Sequence, residues 1–258
     1  MRKIFLLVAV LTATTDGTPR KCRGPLTRLA IDAVAGKRLI PVTADEASLH
    51  VRGFEGAPDF NVHVPAIRYH YPKNVSRKGL IAMAEAVLSK MYGKPITLDS
   101  SLTSPLQHGQ HLVFRHPLDP TKVIKIFDPS ALDITPDLAT KMIQRDIAME
   151  ELLVKAGFRV ARLDRTHPEL FDFGITIQNF ERGNVPFSTE VSPETAFGKR
   201  LAHYENELRR LRKTGAAYWP QINTADPASD LFFVREIDAK KSNLIRRKQG
   251  DEVTFVDW

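Results

Sequence analysis

The hydrophobic and polar positions of the chain form two different patterns on either side of about residue 105. Before this point, residues 14–101 are interrupted by prolines and show little periodicity, which predicts irregular structure. The exception is residues 77–91, where apolar side chains recur at helical spacing and predict a helix. After this point the apolar positions become dense and periodic, so the regular part of the fold is expected there.

Strand signals recur through the second part of the chain. Val113 and Phe114 lead into the turn-forming residues 116–120, and residues 122–127 then form a run rich in β-branched side chains. These two segments together predict a β-hairpin. Similar apolar runs predict further strands at residues 159–163, 174–180, 231–236 and 252–256.

Two helices are predicted by capping signals and by apolar periodicity. The first begins with Thr135 at the cap and Pro136 at the first helical position, and Gly157 ends it. The second opens in the same style at Ser192 and closes at Gly215. A hairpin, a helix, more strands and another helix follow one another in the order of an α+β fold rather than a βαβ series.

Composition narrows the class of protein without identifying it. Of the 258 residues, 43% are hydrophobic and 26% are charged, which suffices for a globular core. The formal net charge of +7 suits several anionic partners, but no arginine- and aromatic-rich recognition pattern accompanies it. Nucleic acid is therefore not an expected partner. The single cysteine, Cys22, excludes an intrachain disulfide.

The N-terminus has the pattern of a secretory signal peptide. Basic residues at positions 2 and 3 precede an apolar run from residue 4 to residue 13, which is too short to span a bilayer. We expect residues 1–13 to be removed on export, so that the mature protein is secreted. A buried first strand or helix is the alternative interpretation. No other stretch is apolar enough to predict a membrane span.

The C-terminal residues carry the strongest candidate chemistry. Phosphoryl transfer from ATP needs a carboxylate to orient the attacking hydroxyl, and oxygen ligands that hold Mg²⁺ over the phosphates. Asp238, Asn243 and Asp257 supply this set, and Lys240 follows the first of them as a countercharge for phosphate. The alternative interpretation is a solvated polar loop in which these residues only shape a turn.

The spacing of Asp238, Lys240 and Asn243 resembles the catalytic loop of protein kinases, and Asp257 with Trp258 resembles the metal-binding motif that follows it. A Trp after this aspartate is similar to aminoglycoside phosphotransferases and other kinase-like enzymes. The resemblance covers residues 105 to 258. It implies a kinase-like fold in which an N-lobe antiparallel sheet and one capped helix precede a truncated C-lobe.

The second strand of the predicted hairpin resembles the kinase strand whose lysine reaches the α- and β-phosphates, which implies this role for Lys125. Val123 lies on the same face by strand alternation, where an adenine roof is needed. Lys122 is a competing candidate, and a solvent-facing lysine is the alternative interpretation. In the following helix the resemblance implies that Glu150 pairs with the lysine, with Glu151 as the alternative.

Nucleotide contacts are also implied upstream and downstream of the lysine strand. Residues 177–183 resemble the strand and hinge that hold adenine through backbone groups, which implies Gln178 and Phe180 as cofactor contacts. Gly109 and Val113 lie where the phosphate-binding loop is expected. Glycine-rich loops let backbone N–H groups approach phosphates, but this segment departs from the pattern because it contains a single glycine.

The resemblance implies transfer of the γ-phosphate of ATP, with Mg²⁺ or Mn²⁺, to a hydroxyl group of a protein. Ser or Thr is expected as the acceptor rather than Tyr. Two alternatives stay open: a catalytically inactive kinase-fold binding module, and a small-molecule phosphotransferase. Turnover of ATP that depends on Mg²⁺ separates the enzyme from the inactive module.

The stop at Trp258 resembles the minimal kinases that some bacterial pathogens deliver into host cells, which lack most of the C-lobe. A shortened or incomplete sequence is the alternative. The expected organisation is a signal peptide at residues 1–13, an extension at 14–100 and a minimal kinase-like domain at 101–258. Because such a domain has few contacts of its own, we expect it to be stabilised by contacts with the extension or with an activating host partner.

Overall fold

The computed structural model describes residues 39–72, 76–98, 111–129, 135–181, 183, 192–213, 244–246 and 253–256. The fold is of the α+β class, as the sequence predicts, with small sheets and few helices. In chain order the described elements are β1 (Leu39–Ala44), β2 (Ala47–Val51), β3 (Phe60–Val64), β4 (Ile67–Pro72), α1 (Arg77–Tyr92), β5 (His111–Arg115), β6 (Lys122–Phe127), α2 (Pro136–Lys155), β7 (Arg159–Val160), a 3₁₀ helix (Pro168–Phe173), β8 (Ile175–Asn179), α3 (Ala196–Lys213), β9 (Leu244–Arg246) and β10 (Val253–Phe255).

The chain divides into two compact units, and each is assembled from separate segments. The described residues of the first unit lie within 39–42, 69–129 and 164–177, and those of the second within 43–68, 135–163 and 178–256. Both units therefore contain residues from before and after position 100, the predicted boundary between the extension and the kinase-like domain.

The first unit is built from helix α1 and a sheet with the strand order β5–β6–β8. Strands β5 and β6 pair in antiparallel register, with Val113 opposite Lys125, which confirms the predicted hairpin. Helix α1 confirms the helix predicted over residues 77–91. Its N-terminus is capped by the Ser76 hydroxyl, which accepts a hydrogen bond from the N–H of Gly79. The apolar core includes Leu80, Met83, Leu88, Phe114, Ile124, Ile126 and Ile175.

Helix α2 organises the second unit, and its predicted start is confirmed. The Thr135 hydroxyl accepts a hydrogen bond from the N–H of Leu138, and Pro136 occupies the first turn. The helix stops before Gly157, whose φ of 79° is a left-handed conformation that residues with a Cβ rarely adopt. One face of α2 packs into an apolar core that includes Leu152, Leu153, Phe158, Tyr204 and Phe255.

The prediction of irregular structure before residue 77 is wrong for residues 39–72, which contain four short strands. β1 pairs with β4, and β2 pairs with β3 as an antiparallel hairpin. The strands have only five or six residues each, so their alternation is too brief to stand out from the prolines around them.

Polar side chains of α2 hydrogen-bond to the backbone of strand β3. The Glu151 carboxylate accepts from the N–H of His63 at 3.2 Å, and the Lys155 ammonium donates to the carbonyl of Asn61. Glu151 and Lys155 also form an ion pair at 2.7 Å along the helix. Side chains of α2 thus form hydrogen bonds with backbone groups of β3 that a neighbouring strand would otherwise bind.

Strand β10 lies between β7 and β9 in a separate sheet, parallel to β7 and antiparallel to β9. Both β7 and β10 are shorter than the strands predicted at these positions. Beyond β7, Leu163 forms only an isolated bridge with Gln178. The strand predicted over residues 231–236 lies outside the described residues.

Helix α3 begins later than predicted, because Thr195 rather than Ser192 supplies the cap. The Thr195 hydroxyl accepts a hydrogen bond from the N–H of Gly198 at 3.0 Å, while residues 192–195 form a turn. A Cβ on Gly198 would lie 2.0 Å from the carbonyl oxygen of Ser192, so only glycine fits this close approach. Within the described part of the chain, no helix combines the length and the apolar composition needed to cross a membrane.

Candidate active site

Lys125 is a buried residue of strand β6, with 7% of its surface exposed. Every residue from Val123 to Phe127 is buried, so both faces of this strand are covered. The alternative of a solvent-facing lysine is therefore wrong. Val123 is 5% exposed, and Val113, opposite the lysine on β5, is half-buried. These three candidate residues belong to the first unit.

The competing lysine, Lys122, is held in an ion pair. Its ammonium lies 2.5 Å from a carboxylate oxygen of Asp164 and 3.9 Å from one of Asp119. Partial burial opposes ionisation of Asp164, but hydrogen bonds from Lys122 and Thr166 outweigh it and hold the pKa of this carboxyl well below its usual range. Lys122 therefore has a structural partner within the first unit.

The two candidate glutamates of α2 have different surroundings. Glu150 is 3% exposed, and its carboxylate lies 3.7 Å from the guanidinium of Arg162. Glu151 is less buried and is already bonded to Lys155 and to the N–H of His63. Glu150 is therefore the more deeply buried of the two candidate glutamates.

The predicted adenine-binding strand is β8, and the pairing of this strand uses much of its backbone. The carbonyl of Ile177 accepts from the N–H of Asp164 at 2.7 Å, and the N–H of Asn179 donates to the carbonyl of Arg162 at 3.0 Å. Phe180 follows the strand and is half-buried. The backbone groups around Gln178 are therefore largely committed to the sheet.

The side chain of Gln178 has a role that the sequence does not reveal. It is 3% exposed, and its Nε2 donates a hydrogen bond to the carbonyl of Val256 at 3.0 Å. The two residues are far apart in the chain, and no local motif relates them. The contact places a residue of the predicted hinge strand against the residue that precedes Asp257.

Five predicted site residues lie outside the described ranges: Gly109, Asp238, Lys240, Asn243 and Asp257. In the ranges that are described, no group of His, Cys, Asp or Glu side chains has an arrangement suited to a metal ion. The predicted ligands of Mg²⁺, Asn243 and Asp257, are not among those side chains. Assignment of the metal to them remains a prediction from the sequence.

A buried histidine closes the β5–β6 hairpin and was not singled out from the sequence. His116 is 6% exposed, and its Nδ1 accepts the backbone N–H groups of Leu118 (3.2 Å) and Asp119 (3.1 Å). Its Nε2 lies 2.8 Å from the hydroxyl of Tyr92. Because Nδ1 is an acceptor, the ring is neutral with its proton on Nε2, which donates to Tyr92.

The pKa values of this pair follow from their surroundings. Burial lowers the pKa of His116 despite the carboxylates of Asp119 and Asp164 nearby, and Lys122 acts in the same direction as burial. Burial and the same two carboxylates raise the pKa of Tyr92, so the phenol stays protonated. The hydrogen-bonded pair is therefore uncharged at neutral pH.

Comparison of the chain with models of protein families, with curated proteins and with solved structures finds no match.

Proposed function

We propose that the protein is an ATP-dependent phosphotransferase of the protein-kinase-like class that phosphorylates a Ser or Thr hydroxyl of a protein. Asp238 orients the attacking hydroxyl, and Lys240 neutralises charge on the transferred phosphate. Asn243 and Asp257 would hold Mg²⁺, which would supply positive charge to offset that of the phosphates. Lys125 contacts the α- and β-phosphates, and Glu150 is the helix glutamate of the kinase pattern.

The burial of Lys125 is the observation that carries this proposal. An ammonium group is strongly hydrated, so lysine is almost never fully buried unless it is paired. The neighbouring positions of β6 are occupied by Val, Ile and Phe, any of which would suit the centre of a covered sheet better. A lysine buried at this position supports a role in binding an anionic group.

Two further observations favour the same set of residues. Lys122 forms an ion pair with Asp164, and Lys125 is the more deeply buried of the two lysines of β6. Glu151 is bonded to β3 and Lys155, and Glu150 is the more deeply buried of the two glutamates of α2.

The proposal is tested with the full chain, Mg²⁺ or Mn²⁺, ATP and a mixed protein substrate. Lys125→Met and Asp257→Ala are each expected to lower turnover by about 100-fold or more, because each removes a charge that stabilises the transferred phosphate. Lys122→Met is the matched control, since it removes a lysine from the same strand. It is expected to lower stability and to leave turnover of the folded protein close to that of the wild type.

Three results would contradict the enzyme assignment or redirect it. Nucleotide binding without turnover, unchanged by Asp257→Ala, would identify an inactive binding module. Phosphorylation of small hydroxyl compounds but no protein would identify a small-molecule phosphotransferase. If Lys122→Met abolished turnover and Lys125→Met did not, the two lysines would exchange roles.

Export is a separate proposal that rests on the basic and apolar pattern of residues 1–13. Mass spectrometry of the extracellular protein from its native host is expected to show a new N-terminus close to residue 14. Detection of Met1 on the extracellular form would refute removal of this segment.

A further inference from the structure

The two faces of the β5–β6 hairpin differ in chemistry. Successive side chains of a strand point to opposite faces, so the register of the hairpin assigns each residue to one of them. The first face packs into the apolar core of the first unit through Leu112, Phe114, Ile124 and Ile126. The second face is mixed, with His111, Val113 and Arg115 on β5 and Val123, Lys125 and Phe127 on β6. Three of these six residues are basic and none is acidic, so the second face is suited to an anion.

Lys125 has a basic neighbour on the adjacent strand. Val113 lies directly opposite Lys125, and Arg115 follows two residues later on the same face. Arg115 is therefore a diagonal neighbour of Lys125. Cβ atoms in this relation are about 7–8 Å apart, a distance that long side chains can bridge. The two cationic groups can thus reach oxygens of the same phosphate or of adjacent phosphates.

The second face is accessible at the end where Arg115 lies. In the described sheet β5–β6–β8, β5 is the edge strand, and Arg115 at its end is exposed, whereas Lys125 is buried. The opposite end of the face is closed by ring contacts. His111 packs edge-on against Phe127 at 5.6 Å between ring centroids, and Phe127 packs in the same way against Tyr69 at 6.4 Å. An anion that approaches from solvent therefore meets Arg115 before Lys125.

We propose that Arg115 is a second phosphate contact, which binds a diphosphate group together with Lys125, and this inference rests on the function proposed above because it takes Lys125 as a phosphate contact. The kinase resemblance implies a single lysine of the sheet for the α- and β-phosphates. The register of the hairpin adds an arginine to that lysine. Arg115 binds the diphosphate from the exposed end of the face, and Lys125 binds it from the buried part.

Arginine suits the exposed position of this pair. Its planar guanidinium can donate two parallel hydrogen bonds to one phosphate, and it is less strongly hydrated than an ammonium group. Lys125 acts as a point charge, and most of its surface is already removed from water by the fold. Removal of one such charge-assisted contact is expected to weaken binding about tenfold or more.

The test measures binding of ADP and of inorganic pyrophosphate to the full chain by isothermal titration calorimetry. Metal ions are left out, so that the proposed metal ligands do not contribute. We expect Arg115→Gln and Lys125→Met each to weaken the affinity for both probes about tenfold or more. His111→Gln is the matched control, since it removes the basic side chain at the closed end of the same strand. It is expected to bind both probes nearly as the wild type does.

The two probes distinguish the source of the diphosphate. Tighter binding of ADP than of pyrophosphate would identify a nucleotide as the ligand, and equal affinities would identify the phosphate chain alone. Either result supports the contact, provided that Arg115→Gln weakens binding of both probes. Higher salt should weaken wild-type binding more than binding to Arg115→Gln, because interactions of an exposed charge are screened.

Folding of each variant is checked by circular dichroism and urea unfolding. If Arg115→Gln does not fold, Arg115→Thr replaces it, since a β-branched residue suits a strand. Loss of folding in both variants would assign Arg115 a structural role only and overturn the contact. Unchanged affinities in folded Arg115→Gln, or loss of binding in His111→Gln alone, would overturn it as well.

Binding and turnover together separate the proposed contact from the proposed function. Weaker ADP binding in Arg115→Gln, with no Mg²⁺-dependent turnover by the wild type, would refute the enzyme and leave the contact standing. Turnover that is lost in Lys125→Met but unchanged in Arg115→Gln, together with unchanged ADP affinity, would refute the contact and leave the enzyme. A folded wild type that binds neither probe would refute the contact.

Discussion

Acidification is expected to destabilise the β5–β6 hairpin through His116. In the folded protein Nδ1 of this histidine accepts two backbone N–H groups, so a proton can bind there only after both hydrogen bonds break. In the unfolded chain the imidazole titrates normally, with a pKa of about 6.5. Because the folded-state pKa is lowered, chiefly by burial, the unfolded state binds more protons at mildly acidic pH.

The size and the pH range of the destabilisation follow from the difference between the pKa of His116 in the folded and in the unfolded protein. Above about pH 7 the histidine is neutral in both states and contributes no pH dependence. Below about pH 6.5 the free energy of unfolding falls by at most about 1.4 kcal/mol per pH unit from this group. The fall ends once His116 is protonated in the folded protein as well. The cost of breaking the two hydrogen bonds to Nδ1 is contained in this pKa difference and is not added to it.

The assay combines a site-specific and a global measurement. The imidazole nitrogens, followed by NMR in a ¹⁵N-labelled sample, should show the Nε2–H tautomer of His116 at pH 7. Exchange of the amide protons of Leu118 and Asp119 should accelerate, relative to that of free amides, as the pH falls below about 6.5. Urea unfolding at a series of pH values gives the change in the free energy of unfolding.

His116→Asn is the matched variant, because its amide oxygen can accept the turn N–H groups and does not titrate. The difference between the wild type and this variant isolates His116 from the other histidines. Parallel stability curves for the two proteins between about pH 7.5 and 5 would refute the reasoning, since the unfolded histidine titrates within that range. The Nδ1–H tautomer at pH 7 would refute it too.

The remaining predictions concern stability of the second unit and are measured by urea unfolding. Thr135→Ala removes the hydroxyl that caps α2 and should cost about 1 kcal/mol, whereas Thr135→Ser should cost much less. Gly157→Ala should cost about 1–2 kcal/mol because of its left-handed backbone, and an equal stability would contradict that conformation. Leu152→Ala leaves a cavity in the core and should cost about 2–5 kcal/mol; a smaller loss than that of Gly157→Ala would show that the core is loosely packed there.

Elements with strong local signals are determined by the sequence alone. The hairpin β5–β6 follows from a turn between two apolar runs, and helix α2 follows from Thr135 and Pro136 ahead of an apolar face. The start of α3 shows the limit of such signals. Ser192 and Thr195 are both suitable caps, and the close approach of Gly198 to Ser192 selects the second one.

The strands before residue 77 depend on tertiary contacts. Strands β2 and β3 are short, and their hydrogen bonds are completed by side chains of α2 that lie far along the chain, such as Glu151 and Lys155. A short hairpin is marginal by itself, and its stability comes from the surface on which it packs. The proline-rich sequence around the β2–β3 hairpin therefore does not predict it, because its stability depends on packing against α2.

For the candidate site, too, some features follow from the sequence and others depend on tertiary contacts. The sequence alone determined which residue types are present, because a lysine strand, a helix with two glutamates and an Asp–Asn–Asp set can be read from spacing. Tertiary structure gave neighbouring residues of the same type different surroundings, because burial and ion pairing depend on distant residues. Lys122 pairs with Asp164 while Lys125 is buried, and Glu151 accepts from the N–H of His63 while Glu150 is buried. The bond from Gln178 to Val256 was likewise invisible in the sequence, since it joins positions that are separated along the chain and meet only when the sheets form.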